Sequence, residues 1–148
     1  MKVTTKGLYA VQVLAALARH KEGKVLSVSD IEERALVPYH YAEKLLLRLK
    51  GAGMVRSLRG IEGGYLLAKK PREISLAGIF EAVGEPVTPW LASSNIERFT
   101  PSVSRGRLLK TNRRRPLMCP VHPVWQRLYR QNMQFFKKTT LSEFSAQQ

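Results

Sequence analysis

The sequence predicts a mainly α-helical chain carrying one small β-hairpin, and three observations carry that prediction. Apolar residues recur at the three- and four-residue spacing of helices near both ends of the chain. Between them, Ser27 to Leu67 reads as two short helical patterns broken by a proline, then a glycine-rich alternation of apolar and polar residues. The charge is one-sided as well: 25 Lys+Arg against 11 Asp+Glu gives a net +14 over 148 residues. That length suits one domain with an extension and is enough to bury a core.

In chain order, Thr4 and Thr5 cap a predicted helix running to about His20, whose Tyr9, Val13, Leu14 and Leu17 share a buried face. Lys2 and Lys6 sit at its start, against the favourable order of charge and helix dipole, which makes them candidates for phosphate contacts. Ser27 opens the next helix with Asp30 three residues on, a capping box, and Ile31 and Ala35 point inward. Leu36-Val37-Pro38 interrupts the period, because proline disfavours helix just before it and suits the first turn of a new one. The helix that follows runs to about Ala52. With Leu45 at the centre of its inner face, the helical step puts Tyr41, Ala42, Leu49 and Ala52 on the same side. The opposite side displays Tyr39, His40, Glu43, Lys44, Leu47 and Lys50.

Gly51 and Gly53 end that helix, and Met54 to Ser57 and Tyr65 to Leu67 alternate like short strands around the tip Arg59-Gly60-Ile61-Glu62-Gly63-Gly64. Helix, turn, helix and basic hairpin is the pattern of a winged helix-turn-helix, in which the second helix enters the DNA major groove. After a basic turn at Lys69 to Arg72, Ser75 caps a short helix through Val83 with Leu76, Ile79, Phe80 and Val83 inward. Val87 to Pro120 loses apolar periodicity; seven basic residues and no acid lie between Arg98 and Arg115, and a mobile basic loop is expected. Its Arg113-Arg114-Arg115 run is read as solvated charge that adds nonspecific affinity for a polyanion. Pro123 begins a long helix to about Lys138 with Val124, Trp125, Leu128, Tyr129, Phe135 and Phe136 along it. So wide a stripe after a loop is best spent against the same helix of a second copy. Thr139 to Phe144 is expected to form a turn over that dimer surface. The divisions are thus a winged helix-turn-helix domain at 1–84, a basic mobile loop at 85–120, and a dimerisation helix with a closing turn at 121–148.

The composition also excludes. No apolar run reaches the length of a membrane helix, and the amino terminus lacks the pattern of a signal peptide. A single cysteine, Cys119, forms no intrachain disulfide, so a cytoplasmic location is expected. His20, His40 and His122 fall on three separate elements with no paired carboxylates, so no catalytic set is evident and an enzyme is not expected.

Three segments, MKVTTKGLYAVQVL, MVRSLRGIEGGYLLAKKPREISLAGIFEAV and CPVHPVW…TTLSEF, together resemble the Rrf-two family of bacterial winged helix-turn-helix regulators, some of which sense through an iron–sulfur cluster. The resemblance spans nearly the whole chain except Val87 to Met118. It implies a homodimeric transcription regulator, most simply a repressor, on a two-fold-related DNA site. Carried over by position, it puts Tyr39, His40, Glu43 and Lys44 at base edges or backbone, and Arg59 in the minor groove. Lys44 would donate to guanine and Glu43 accept from cytosine. Ser27, Arg56, Gly60 and Tyr65, with Lys2 and Lys6, complete the DNA-contact candidates. The tip departs from the family in having Ile61-Glu62 where Pro-Gly is usual. The sensor departs further. Cluster-binding members place three cysteines before the dimer helix, whereas here Cys119 and His122 alone remain, short of the mainly thiolate set a cluster needs. No metal and no cofactor are therefore expected. Cys119 is then an inert thiol or an oxidisable one favoured by the helix start and nearby arginines. A regulatory protein partner is the other route for a signal. A fold kept for protein interaction with weak, nonspecific DNA binding is the rival reading.

Overall fold

A computed structural model describes residues 4–85 and 122–145, apart from the side chains of His122, Pro123, Trp125 and Gln126. Lys2, the loop expected from Val87 to Pro120 with its Arg113–Arg115 run, and Cys119 lie outside these residues, as does the His122 side chain.

The first helix, α1 (Thr5–Arg19), is the centre of the molecule. Ala10, Val11, Val13, Leu14, Ala15, Ala16 and Leu17 are all buried, because other elements cover it on several sides. The single face expected from Tyr9, Val13, Leu14 and Leu17 understates this: small alanines let neighbours close in where periodicity alone shows nothing. Gly7 does the same at one end, where a Cβ would sit 2.4 Å from the Phe80 ring. Thr4 precedes the helix without a side-chain cap; its hydroxyl hydrogen-bonds the Glu85 carboxylate instead.

Helices α2 (Val28–Ala35) and α3 (Tyr39–Gly51) follow. The expected capping box is present: the Ser27 hydroxyl accepts from the Asp30 amide at 3.1 Å, and the Asp30 carboxylate accepts from the Ser27 amide at 3.0 Å. Ile31 and Ala35 are buried as expected. Leu36 closes α2 in the left-handed region, φ +54°, with its side chain 80% exposed. Pro38 then precedes α3. Proline offers no capping side chain, and the first amide of α3, that of Tyr39, donates to the Glu32 carboxylate of α2 at 3.0 Å.

Strands β1 (Val55–Leu58) and β2 (Gly64–Leu67) pair antiparallel with Val55 opposite Leu67 and Leu58 opposite Gly64. A 3-10 turn at Pro71–Glu73 leads to α4 (Leu76–Ala82), capped by Ser75, with Leu76, Ile79, Phe80 and Val83 buried as expected. The carboxy-terminal helices are α5 (His122–Lys138) and α6 (Leu141–Ser145).

Two features of this end differ from the sequence reading. Thr139 to Phe144, expected over a dimer surface, closes the core of its own chain. Leu141 is fully buried, its amide donates to Ile74 at 2.9 Å, the Leu76 amide donates to Thr139 at 2.9 Å, and Arg19 holds the Phe144 carbonyl at 2.7 Å. Phe136, counted in the α5 stripe, is buried edge-on against Phe80 at 5.6 Å. The stripe is therefore two faces. Phe136, Met133 and Tyr129 turn toward the chain's own domain, being buried or half-buried. Val124, Leu128 and Phe135, within about 40° of one another at the helical step, stay exposed.

Candidate nucleic-acid interface

The α3 helix is anchored on one side and bare on the other. Ala42, Leu45, Leu46 and Leu49 are buried, and Tyr41 meets Tyr9 of α1 edge-on at 5.4 Å. Ala52, expected on that inner side, is exposed at the helix end, and Leu46 takes more of the contact. The outer face holds Tyr39, His40, Glu43, Lys44, Leu47 and Lys50, all exposed, as the helical step requires. Tyr39 and His40 meet edge-on at 5.6 Å, which steadies the two aromatic side chains at the helix start.

The hairpin is fixed to the helix-turn-helix from both strands. On one side Lys50 Nζ donates to Ser57 Oγ at 2.6 Å, tying α3 to β1. On the other, Leu26 and Tyr65 exchange both backbone bonds, at 2.9 and 2.8 Å, so β2 gains a second neighbour in the residue just before the Ser27 cap. Gly64 makes this approach possible: a Cβ there would lie 2.4 Å from the Leu26 carbonyl oxygen. Arg56, Arg59, Gly60, Ile61 and Glu62 are all exposed beyond these anchors.

The remaining sequence candidates divide by what they touch. Ser27 has its hydroxyl committed to the capping box, since it also donates to Asp30 Oδ2 at 2.6 Å. Those bonds, the hydroxyl's first and the Ser27 amide's second, hold the Asp30 carboxyl below its ordinary value. Tyr65 is half-buried and works through its backbone pairing. Lys6 is paired with Glu85 at 3.7 Å, so part of its charge is met within the chain. Lys44, His40, Arg56 and Arg59 remain as exposed donors on the helix and the wing. Three contributors escaped the sequence reading: Glu32 capping Tyr39, Lys50 bracing Ser57, and Leu26 pairing with Tyr65. None has a short-range signal, since each links residues seven or more apart.

A helix-turn-helix with an exposed polar second helix, braced against a basic hairpin, defines a winged-helix DNA-binding regulator. Comparison with known proteins agrees. The family model described as "Rrf2: Iron-dependent Transcriptional regulator" matches residues 3–147, and the chain belongs to the Rrf2 family. It is 35% identical over 133 residues to the HTH-type transcriptional regulator IscR of Aliivibrio salmonicida, covering 76% of this chain and 79% of that one. It is 32% identical over 143 residues to IscR of Yersinia pseudotuberculosis, covering 97% and 78%. The match to an HTH-type regulator of Synechocystis is 44% identical over 90 residues and spans 61% of each protein. Among solved structures, CymR, the global cysteine regulator of B. subtilis, superposes with a TM-score of 0.73 at 24% identity, covering 99% of this chain and 97% of that one. IscR of T. potens does so at 0.66 and 27%, covering 96% and 84%. The family is one of transcriptional regulators rather than enzymes. Among the described residues no helix is long and apolar enough to cross a membrane.

The family's description implies iron, and the donor set is the test of fit. The chain has one cysteine and three histidines. An iron–sulfur cluster takes about four ligands, mainly thiolates, so one chain's residues do not fit it.

Proposed function

We propose that the chain is a cytoplasmic repressor that binds a two-fold-related operator as a homodimer, with α3 in the major groove of each half-site and the hairpin beside it. The outer face of α5 is the observation that supports the dimer. Val124, Leu128 and Phe135 are 66, 46 and 61% exposed, on a helix whose other side is already packed against α4. An apolar face of that kind loses its water most economically against its own copy across a two-fold axis. Tyr39, His40, Glu43 and Lys44 then read base edges or grip the backbone, Arg56 and Arg59 meet phosphate or the minor groove, and repression follows from occupying the site. Glu replacing Leu128 and Phe135 is expected to give monomers in light scattering and to abolish tight operator binding. Dimers that persist would move the interface elsewhere.

The regulator holds no stable iron–sulfur cluster in this reading, because each chain brings a single thiolate. After anaerobic reconstitution with iron and sulfide, the visible spectrum is expected to lack a cluster band. A band that disappears in Cys119→Ser would overturn this.

A further inference from the structure

We propose that Glu62, at the corner of the wing, is a specificity residue that directs the hairpin to minor grooves containing G·C pairs and away from A/T tracts. The inference deepens the DNA-binding reading above and rests on it.

The wing tip has one shape. The Gly63 amide donates to the Gly60 carbonyl at 2.9 Å, closing a four-residue turn with Ile61 and Glu62 at its two central positions. Gly60 lies at φ +124°, where side chains are rarely accommodated, and a Cβ on Gly63 would sit 2.6 Å from the Leu58 carbonyl oxygen. Ile61 is fully exposed, and Glu62 beside it is exposed. Among the described residues no cation forms an ion pair with Glu62; Lys6 is paired with Glu85, and Lys50 is spent on Ser57.

Arg59 and Glu62 cancel in charge, and an apolar side chain stands between them. A tip of that composition is poorly suited to track phosphates, which reward net positive charge. It is well suited to a groove edge. With β1 held beside α3 by Lys50, strands of four residues extend the hairpin by about 13 Å. A hairpin of that length, beside a helix seated in the major groove, would cross one phosphate strand to the flanking minor groove.

There the two base-pair classes differ by one group. A·T pairs offer only the acceptors N3 and O2, whereas G·C pairs add the guanine N2 amine, a donor. Arg59 donates only and finds acceptors on either pair. Glu62 as a carboxylate accepts only, so its partner exists only at guanine. A narrow A/T tract adds a more negative potential that repels the carboxylate. Ile61 sheds water against the sugar edges in both cases and does not discriminate.

The test begins by selecting duplexes from a random pool with the intact wild-type protein. Guanine is expected at a fixed flanking position, about half a helical turn from the recognition-helix contacts. Inosine then replaces that guanine, removing the N2 amine while leaving the major groove unchanged. Wild type is expected to lose about tenfold in affinity, the scale of one charge-assisted hydrogen bond. Glu62→Ala is expected to bind the two duplexes equally and to gain on A/T flanks. Equal affinity of wild type for guanine and inosine duplexes would overturn the assignment to Glu62, as would discrimination that survives in Glu62→Ala. A pool yielding no preferred sequence would overturn the sequence-specific operator reading beneath it, which separates the two failures.

Discussion

Gly64→Ala is the sharpest probe of how the wing is held. The new Cβ would lie 2.4 Å from the Leu26 carbonyl oxygen, 2.8 Å from its carbon and 3.1 Å from the Ser27 nitrogen. All three are backbone atoms, so no side-chain rotation relieves the overlap. Restoring ordinary contact requires β2 to retreat from Leu26 by about 1 Å. That stretches the pair of Leu26–Tyr65 hydrogen bonds, now 2.9 and 2.8 Å, to or past the limit of useful geometry. Each bond contributes about 1 kcal/mol net, so losing both costs about 2 kcal/mol. Strain adds about 1 kcal/mol or more, and the lower entropy of an unfolded alanine chain returns up to about 1 kcal/mol.

The expected net loss is therefore about 2 kcal/mol, or roughly 6 °C in melting temperature for a chain of this size. Urea unfolding and thermal melts would measure it. Gly51→Ala is the matched control: nothing lies within 4 Å of its Cβ, and the position is the last of α3, so it is expected to be neutral or slightly stabilising. Gly64→Ala should also weaken specific DNA binding, because Arg59 and its neighbours move with β2. A Gly64→Ala protein as stable as wild type would refute the clamp, and with it the claim that Leu26 positions the wing.

Four further outcomes are expected. Ser27→Ala removes the hydroxyl half of the α2 cap, leaving the backbone amide of residue 27 to donate to Asp30, and should cost about 1 kcal/mol at neutral pH. Because the Asp30 carboxyl is held below its ordinary value in the fold, its stabilisation is present above that value and fades as pH falls through the depressed one. The stability gap between wild type and Asp30→Asn should accordingly close in acid; a gap constant from pH 7 to 2 would contradict it. Leu36→Asn places a residue tolerant of positive φ at φ +54° and should raise stability by on the order of 1 kcal/mol in thermal melts; a lower melting temperature would mean the leucine side chain is used in the fold. Arg59→Ala should cost about 1–3 kcal/mol in operator affinity with unchanged stability, and unchanged affinity in a titration would remove Arg59 from the interface.

The parts of this fold legible in the sequence are those whose cause is local. Ser27 and Asp30 are three residues apart, Pro38 interrupts a period, Ser75 precedes a short apolar run, and the glycines mark a turn. Each signal and its consequence lie within one helical turn. The display face of α3 was legible for the same reason, since one buried leucine fixes the direction of every other side chain. What escaped is what long-range packing decides. Leu26 pairs with Tyr65 and Glu32 caps Tyr39 across gaps that no pattern spans. Leu141 is buried beneath α1 from the far end of the chain.

The reading of α5 shows why this matters for function. From sequence, its aromatic residues form one wide stripe and invite a single use. In the fold, Phe136 is held by Phe80 while Phe135, its neighbour in sequence, is left exposed. The helix is thus seated on α4 along one face, and α4 is joined to α3 where Arg48 donates to the Val83 carbonyl at 2.9 Å. A second copy docking on Val124, Leu128 and Phe135 would meet a surface rigidly related to the DNA-facing helix, not one on a tether. Operator half-sites must be read about one DNA turn apart, and a rigid connection from dimer face to recognition helix is what such spacing demands. Phe136→Ala, which loosens α5 while sparing its outer face, should therefore leave the proposed dimer intact in light scattering yet relax its preference for one half-site spacing. A variant that dimerises and keeps the wild-type spacing preference would show that the Phe80–Phe136 contact serves stability alone.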